Sequence, residues 1–198
     1  MRRLPGLLVF VLCGLVLLGG CAFSPERALA AEVRVMEGQW QNMQMRPETA
    51  QIRQQQPWQE GLLYLLSFEA IRSNGQRSDC LYTLQIEQKG LGWRVTGSEG
   101  GCGPLGGDGK PMSVGWGQHS GLERASLSHL RGLVYDPAVV AVQVVWEDGQ
   151  EQRVEVANGS YLALRAGRHE LSQERGLDSQ DEIVYAYENP LPAPGKAN

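Results

Sequence analysis

The chain has 198 residues and a formal net charge of −4. A mildly acidic body with no block of like charges excludes nucleic acid as the expected partner and gives no basic patch for anionic lipid. Its four cysteines form no C-x-x-C pair and its three histidines (His119, His129 and His169) have no metal-ligand spacing, so neither a metal site nor a cofactor is expected.

In chain order, Met1-Arg2-Arg3 is followed by an uncharged run from Leu4 to Gly20, a basic n-region before an apolar h-region. The run is shorter than the ~20 residues that a spanning helix needs, and Pro5 and several glycines interrupt it. It ends in Leu18-Gly19-Gly20-Cys21. These residues resemble the lipobox of bacterial lipoproteins. The resemblance implies that residues 1–20 are a lipoprotein signal peptide and that Cys21 is the lipid attachment site, carrying diacylglycerol and palmitate-type chains. It also implies a place on the extracytoplasmic face of a bacterial cell membrane. Two or more acyl chains, at about 0.8 kcal/mol per buried methylene, anchor a protein where one would not. Ala28-Leu29-Ala30 also satisfies the small-x-small rule for signal cleavage, and a cut there would discard Cys21.

Without residues 1–20, Arg2 and Arg3 are lost and the formal charge moves from −4 to −6. Cys13 leaves with the signal and Cys21 takes the lipid. Cys80 and Cys102 remain, in a compartment where disulfides persist, and a disulfide between them is expected. Residues 21–57 are rich in Gln, Glu, Arg and Met and read as a tether. Within them Pro47, with Glu48 behind it, fits the start of a short helix running to about Gln56; a Gln-rich spacer accounts for the same residues.

Residues 58–188 read as a β domain. GLLYLLSFEAI (61–71), CLYTLQIEQ (80–88) and GWRVTG (92–97) are strand-like, separated by Asn74-Gly75 and Lys89-Gly90 turns. As a meander they bring Cys80, near the start of one strand, beside Cys102, just past the end of the next. SEGGCGPLGGDGKP (98–111) holds six glycines and two prolines and is expected to be a long loop. Its Gly101-Cys-Gly103-Pro-Leu-Gly106 matches G-x-G-x-x-G, but Gly107, Gly109 and Pro111 prevent the helix that a dinucleotide site requires.

Further strands are expected at 112–118, 127–137, 140–146, 150–157, 160–166 and 182–188. Val140, Val142, Val144 and Trp146 alternate onto one face. The pattern DPxVxxVxVxWxDG followed by VxVxNGxY resembles segments of uncharacterised secreted proteins of Gram-positive bacteria, which implies a fold habit and no activity. Residues 189–198 are Pro-rich, polar and expected to be disordered.

The expected fold is mainly β, an antiparallel sandwich or bent meander sheet with a short N-terminal helix. Trp116, between Gly115 and Gly117, is the candidate binding residue, since flanking glycines leave an indole free to stack on a sugar or partner. A core tryptophan with glycines easing backbone crowding fits the same residues. No catalytic constellation is recognisable. The expected role is a membrane-anchored module binding an envelope protein or glycan; the alternative is a hydrolase of cell-envelope polymers whose carboxylates the sequence does not announce.

Overall fold

The computed structural model describes residues 23–39, 43–59, 61–119 and 126–188. The signal segment, Cys21 and the tail at 189–198 lie outside the described residues.

Among the described residues, one α-helix, α1 (Pro25–Gln39), precedes three antiparallel sheets. The first is a meander of β1 (Met43–Trp58), β2 (Gly61–Arg72), β3 (Arg77–Lys89) and β4 (Gly92–Pro104), paired in that order. The second comprises β5 (Gly115–His119), β6 (Leu127–Leu133) and β9 (Ser160–Ala166), with β6 central. The third holds β7 (Ala141–Trp146), β8 (Glu151–Glu155), β10 (Leu171–Leu177) and β11 (Ile183–Glu188), in the order β11-β10-β7-β8. Chain reversal before β9 uses Asn158 and Gly159, both at positive φ (52° and 65°), as a two-residue hairpin turn demands.

Alternation along the strands stacks these elements in a fixed sequence. Helix α1 buries Ala28, Leu29 and Met36 against Tyr64, Phe68 and Leu84 on one face of the first sheet. The opposite face presents Leu63, Leu65 and Leu81 to Leu127, Leu133 and Leu162 of the second sheet. On its far side the second sheet packs Leu130, Tyr161 and Ala163 against Val142, Val144, Trp146 and Leu171 of the third. The second sheet is therefore the middle layer, and all seven residues of β6 are buried.

Four expectations need correction. The helix lies at Pro25–Gln39, whereas residues 43–57, read as tether with a helix from Pro47 to about Gln56, belong to β1. As an edge strand with two register shifts, β1 tolerates Pro47 and Pro57, whose missing N–H groups would break an interior ladder. Residues 98–104 are not a loop but the second half of β4, paired from Ser98↔Leu84 to Pro104↔Ser78. Glycine is what allows this: a Cβ at Gly100 would overlap the Tyr82 ring lying across it. Strand β10 was not expected at all, and Val140 precedes β7 rather than sharing its inner face.

Candidate functional site

Trp116 stands on β5, and its two glycine neighbours have separate reasons. A Cβ at Gly117 would overlap the Glu99 carboxylate reaching across from β4, and one at Gly115 would rest against Arg131 on β6. The glycines thus let β5 approach its surroundings closely, while the indole itself remains 38% exposed. It forms one lip of a groove of about 530 Å³ whose other walls include Tyr135, Leu171, Tyr185, Tyr187 and Lys110. Tyr185 and Tyr187 reach it because they are two apart on the edge strand β11.

The groove's end is a left-handed turn at Leu105–Gly109, with positive φ at Gly106, Gly107, Asp108 and Gly109. Asp79 fixes this turn, its Oδ2 accepting the Gly106 N–H at 2.8 Å. The Tyr135 ring packs where a Cβ on Gly107 would be. Burial, with Asp79 nearby, pushes the Tyr135 hydroxyl up to about 12, so the phenol stays neutral.

A second cavity of about 330 Å³ adjoins the groove, sharing Gly103, Ser113, Val114 and Tyr135 with it. It fills the gap between β4 and β5, the edge strands of the first and second sheets. Gly101 and Gly103 leave it open, because no atom lies within 4 Å of where their Cβ atoms would stand. Leu81 and Leu133 supply apolar lining, and Arg131 supplies charge.

Arg131 is only 4% exposed. Its Nη1 donates to His129 Nε2 at 2.6 Å, which makes that nitrogen the acceptor and places the ring proton on Nδ1. Thr83 Oγ1 lies 2.8 Å from the same Nε2 and 3.1 Å from the Glu99 carbonyl, so its single proton is shared between these two acceptors. Glu99 Oε2 is 3.9 Å from His129 Nε2. Burial lowers the Arg131 pKa against the pull of Glu99, and burial raises Glu99 against the pull of Arg131. Each therefore offsets part of the other's desolvation.

Beneath the groove, Glu174 on β10 is fully buried, with both carboxyl oxygens lacking a hydrogen-bond partner. The nearby Tyr161 hydroxyl gives its proton to the Ser113 carbonyl, at 2.7 Å. Burial pushes Glu174 up to about 8, so it is mostly protonated at neutral pH. It shares the inner face of the third sheet with its register partners Val144 and Tyr187, but it does not line the groove.

Cys80 and Cys102 face each other across β3 and β4, disulfide-bonded, with their Cα atoms 4.0 Å apart. The bond brings the strand carrying Gly101 and Gly103 into place as a cavity wall. His169 stands edge-on to the Trp146 ring, and the His119 side chain lies outside the described residues. No group of His, Cys, Asp and Glu suited to a metal occurs among the described residues. Sequence reasoning missed Arg131, Glu99, Tyr185, Tyr187 and Glu174, and found in His129 only the absence of metal-ligand spacing. The signal for the His129–Arg131 pair was their spacing of two within LSHLRGL, which puts both on one face. Set against protein-family models, curated proteins and solved structures, the chain matches none of them.

Proposed function

We propose that the protein is an extracytoplasmic lipoprotein, anchored at Cys21, whose aromatic groove binds a component of the cell envelope. The observation that carries the binding reading is the groove itself: Trp116 exposed at its lip and three tyrosines lining it. Such rings offer flat apolar faces for stacking at small entropic cost. The packing of α1 supports processing at Cys21 over the later site. Cleavage after Ala30 would remove Ala28 and Leu29, both 5% exposed, from the core against the first sheet. No described helix is long and apolar enough to cross a membrane, so the lipid is the means of attachment in this reading.

Cys21→Ser should move the protein from membrane to soluble fractions and end labelling by palmitate. For the groove, a photo-crosslinking amino acid placed at Trp116 in intact cells should capture a protein or a glycan. The same group at Leu91, exposed on the β3–β4 hairpin, is the control. Equal capture at both positions would overturn the groove as the binding site, and palmitate labelling that survives Cys21→Ser would overturn the anchor.

A further inference from the structure

We propose that the cavity between β4 and β5 is a carboxylate-binding subsite, in which Arg131 and the outward backbone amides of β4 hold a planar monoanionic group. The proposal rests on the binding reading of the adjoining groove and names one chemical feature of its ligand.

Arg131 carries five N–H donors, and its hydrogen bond to His129 uses one of them. Arg131, a residue only 4% exposed that lines a cavity of about 330 Å³, is a recognition group held in place before any ligand arrives. The strand register adds to it. A Cα separation of 4.0 Å marks Cys80↔Cys102 as a pair that does not exchange backbone hydrogen bonds. Cys102, and by alternation Gly100, therefore point N–H and C=O groups away from β3. Strand β4 is the edge of its sheet, so those groups face the gap toward β5. The absent side chains of Gly101 and Gly103 leave room for a ligand to lie against them.

The neighbouring charges choose among anions. Glu99, whose carboxylate packs over Gly117 beside His129, lies outside the cavity lining, and Asp79, already holding the Gly106 N–H, is part of it. His129 accepts from Arg131 and so faces the cavity's cation as a neutral ring. A dianionic phosphate would meet the Asp79 carboxylate within the same small cavity. A carboxylate brings a single charge and matches the guanidinium fork with two parallel hydrogen bonds. It can come from the C-terminus of a peptide or from an acidic sugar.

The test uses the full chain in detergent, with the Arg131 Nε–H signal followed by NMR. The probes are trialanine free acid, its C-terminal amide, glucuronate and inorganic phosphate. The free acid or glucuronate should shift the signal, and whichever does so identifies the source of the carboxylate. The matching neutral compound should bind about tenfold more weakly or worse. Gly101→Leu should abolish the shift by filling the cavity, with the remaining spectrum intact. That variant serves because Arg131→Gln also removes the buried partner of His129, a loss to folding as well as to binding. The proposal fails if neither carboxylate moves the signal, if phosphate binds more tightly than both, or if Gly101→Leu leaves binding unchanged. Trp116→Ala separates the two readings: carboxylate binding that it leaves untouched would retain the subsite and sink the groove, whereas capture at position 116 without carboxylate binding would do the reverse.

Discussion

The two faces of β6 belong to one seven-residue strand and do opposite things. Toward the third sheet, Leu130 and its β9 neighbours Tyr161 and Ala163 enter a tight apolar core with Trp146 and Val144. Gly132 on that face has the Ser113 carbonyl and the Tyr161 ring where a Cβ would go. Toward the first sheet, the same strand presents Leu127, His129, Arg131 and Leu133. Here the contacts turn polar, and glycines on the facing strand leave a cavity. Period-two alternation lets a middle-layer strand seal one interface and furnish another. The sealed face supplies rigidity, and the open face spends it on holding a buried cation ready.

Truncation on the sealed face should have the largest effect. Trp146→Ala removes a side chain that is 1% exposed and should cost about 3–5 kcal/mol in denaturant unfolding. If the loss is under about 1 kcal/mol, the third sheet is not integral to the core. Next comes the wall of the open face. Replacing Cys80 and Cys102 together by serine should leave the fold intact and lower stability by about 2–4 kcal/mol. It should also make the chain near Gly106 more sensitive to protease, because the covalent tie between β3 and the end of β4 is then lost.

Glu174 tests the sealed face by pH. Its carboxyl pKa is raised on folding from an ordinary value of 4.5 to about 8. The folded state therefore keeps a proton that the unfolded state releases within that window. The associated stability is complete below about pH 4.5 and is lost as pH rises through about 8. Glu174→Gln does not titrate. It should be about 2–4 kcal/mol more stable than the parent at pH 8, with the difference shrinking toward pH 4.5. A parent protein whose stability rises with pH across that range would contradict the burial argument. Smallest of all, Gly101→Leu fills open space on an edge strand and should change stability by no more than about 0.5 kcal/mol, despite closing the cavity.

The meander and its disulfide were legible because they are local. Asn74-Gly75 and Lys89-Gly90 mark the turns, and antiparallel direction brings Cys80 to Cys102. Strand β1 was hidden by its composition. Its Gln and Arg side chains make contacts no pattern announces: Gln54 donates to the Ser160 carbonyl at 2.9 Å, and Arg53 to Ser67 Oγ at 2.7 Å. Strand β10 was hidden because Leu-Ser-Gln-Glu-Arg-Gly-Leu does not alternate, and the residue it buries at its centre is the acid Glu174. The site fared similarly. Trp116 stood out through its glycines, whereas Tyr185 and Tyr187 come from a strand separated in sequence by most of the C-terminal half. Arg131 gains its meaning from glycines on a different sheet, a juxtaposition that depends on layer stacking rather than on any segment.

Helix α1 begins at Pro25, four residues beyond Cys21. If Cys21 carries the lipid, the leash from the bilayer to the first turn of the helix spans at most about 14 Å. A tether reaching to residue 57 would instead allow about 120 Å fully stretched. The domain is then a fixture on the membrane rather than a float above it, and it samples only a shell about its own diameter deep. Phe23, exposed and two residues past Cys21, would extend the apolar character of such an attachment point into the protein. With that anchor, a ligand of the groove would have to come to the membrane surface to be met: a polymer lying close against the bilayer, or the near face of a membrane protein. A partner held farther out would be beyond reach however well it fitted.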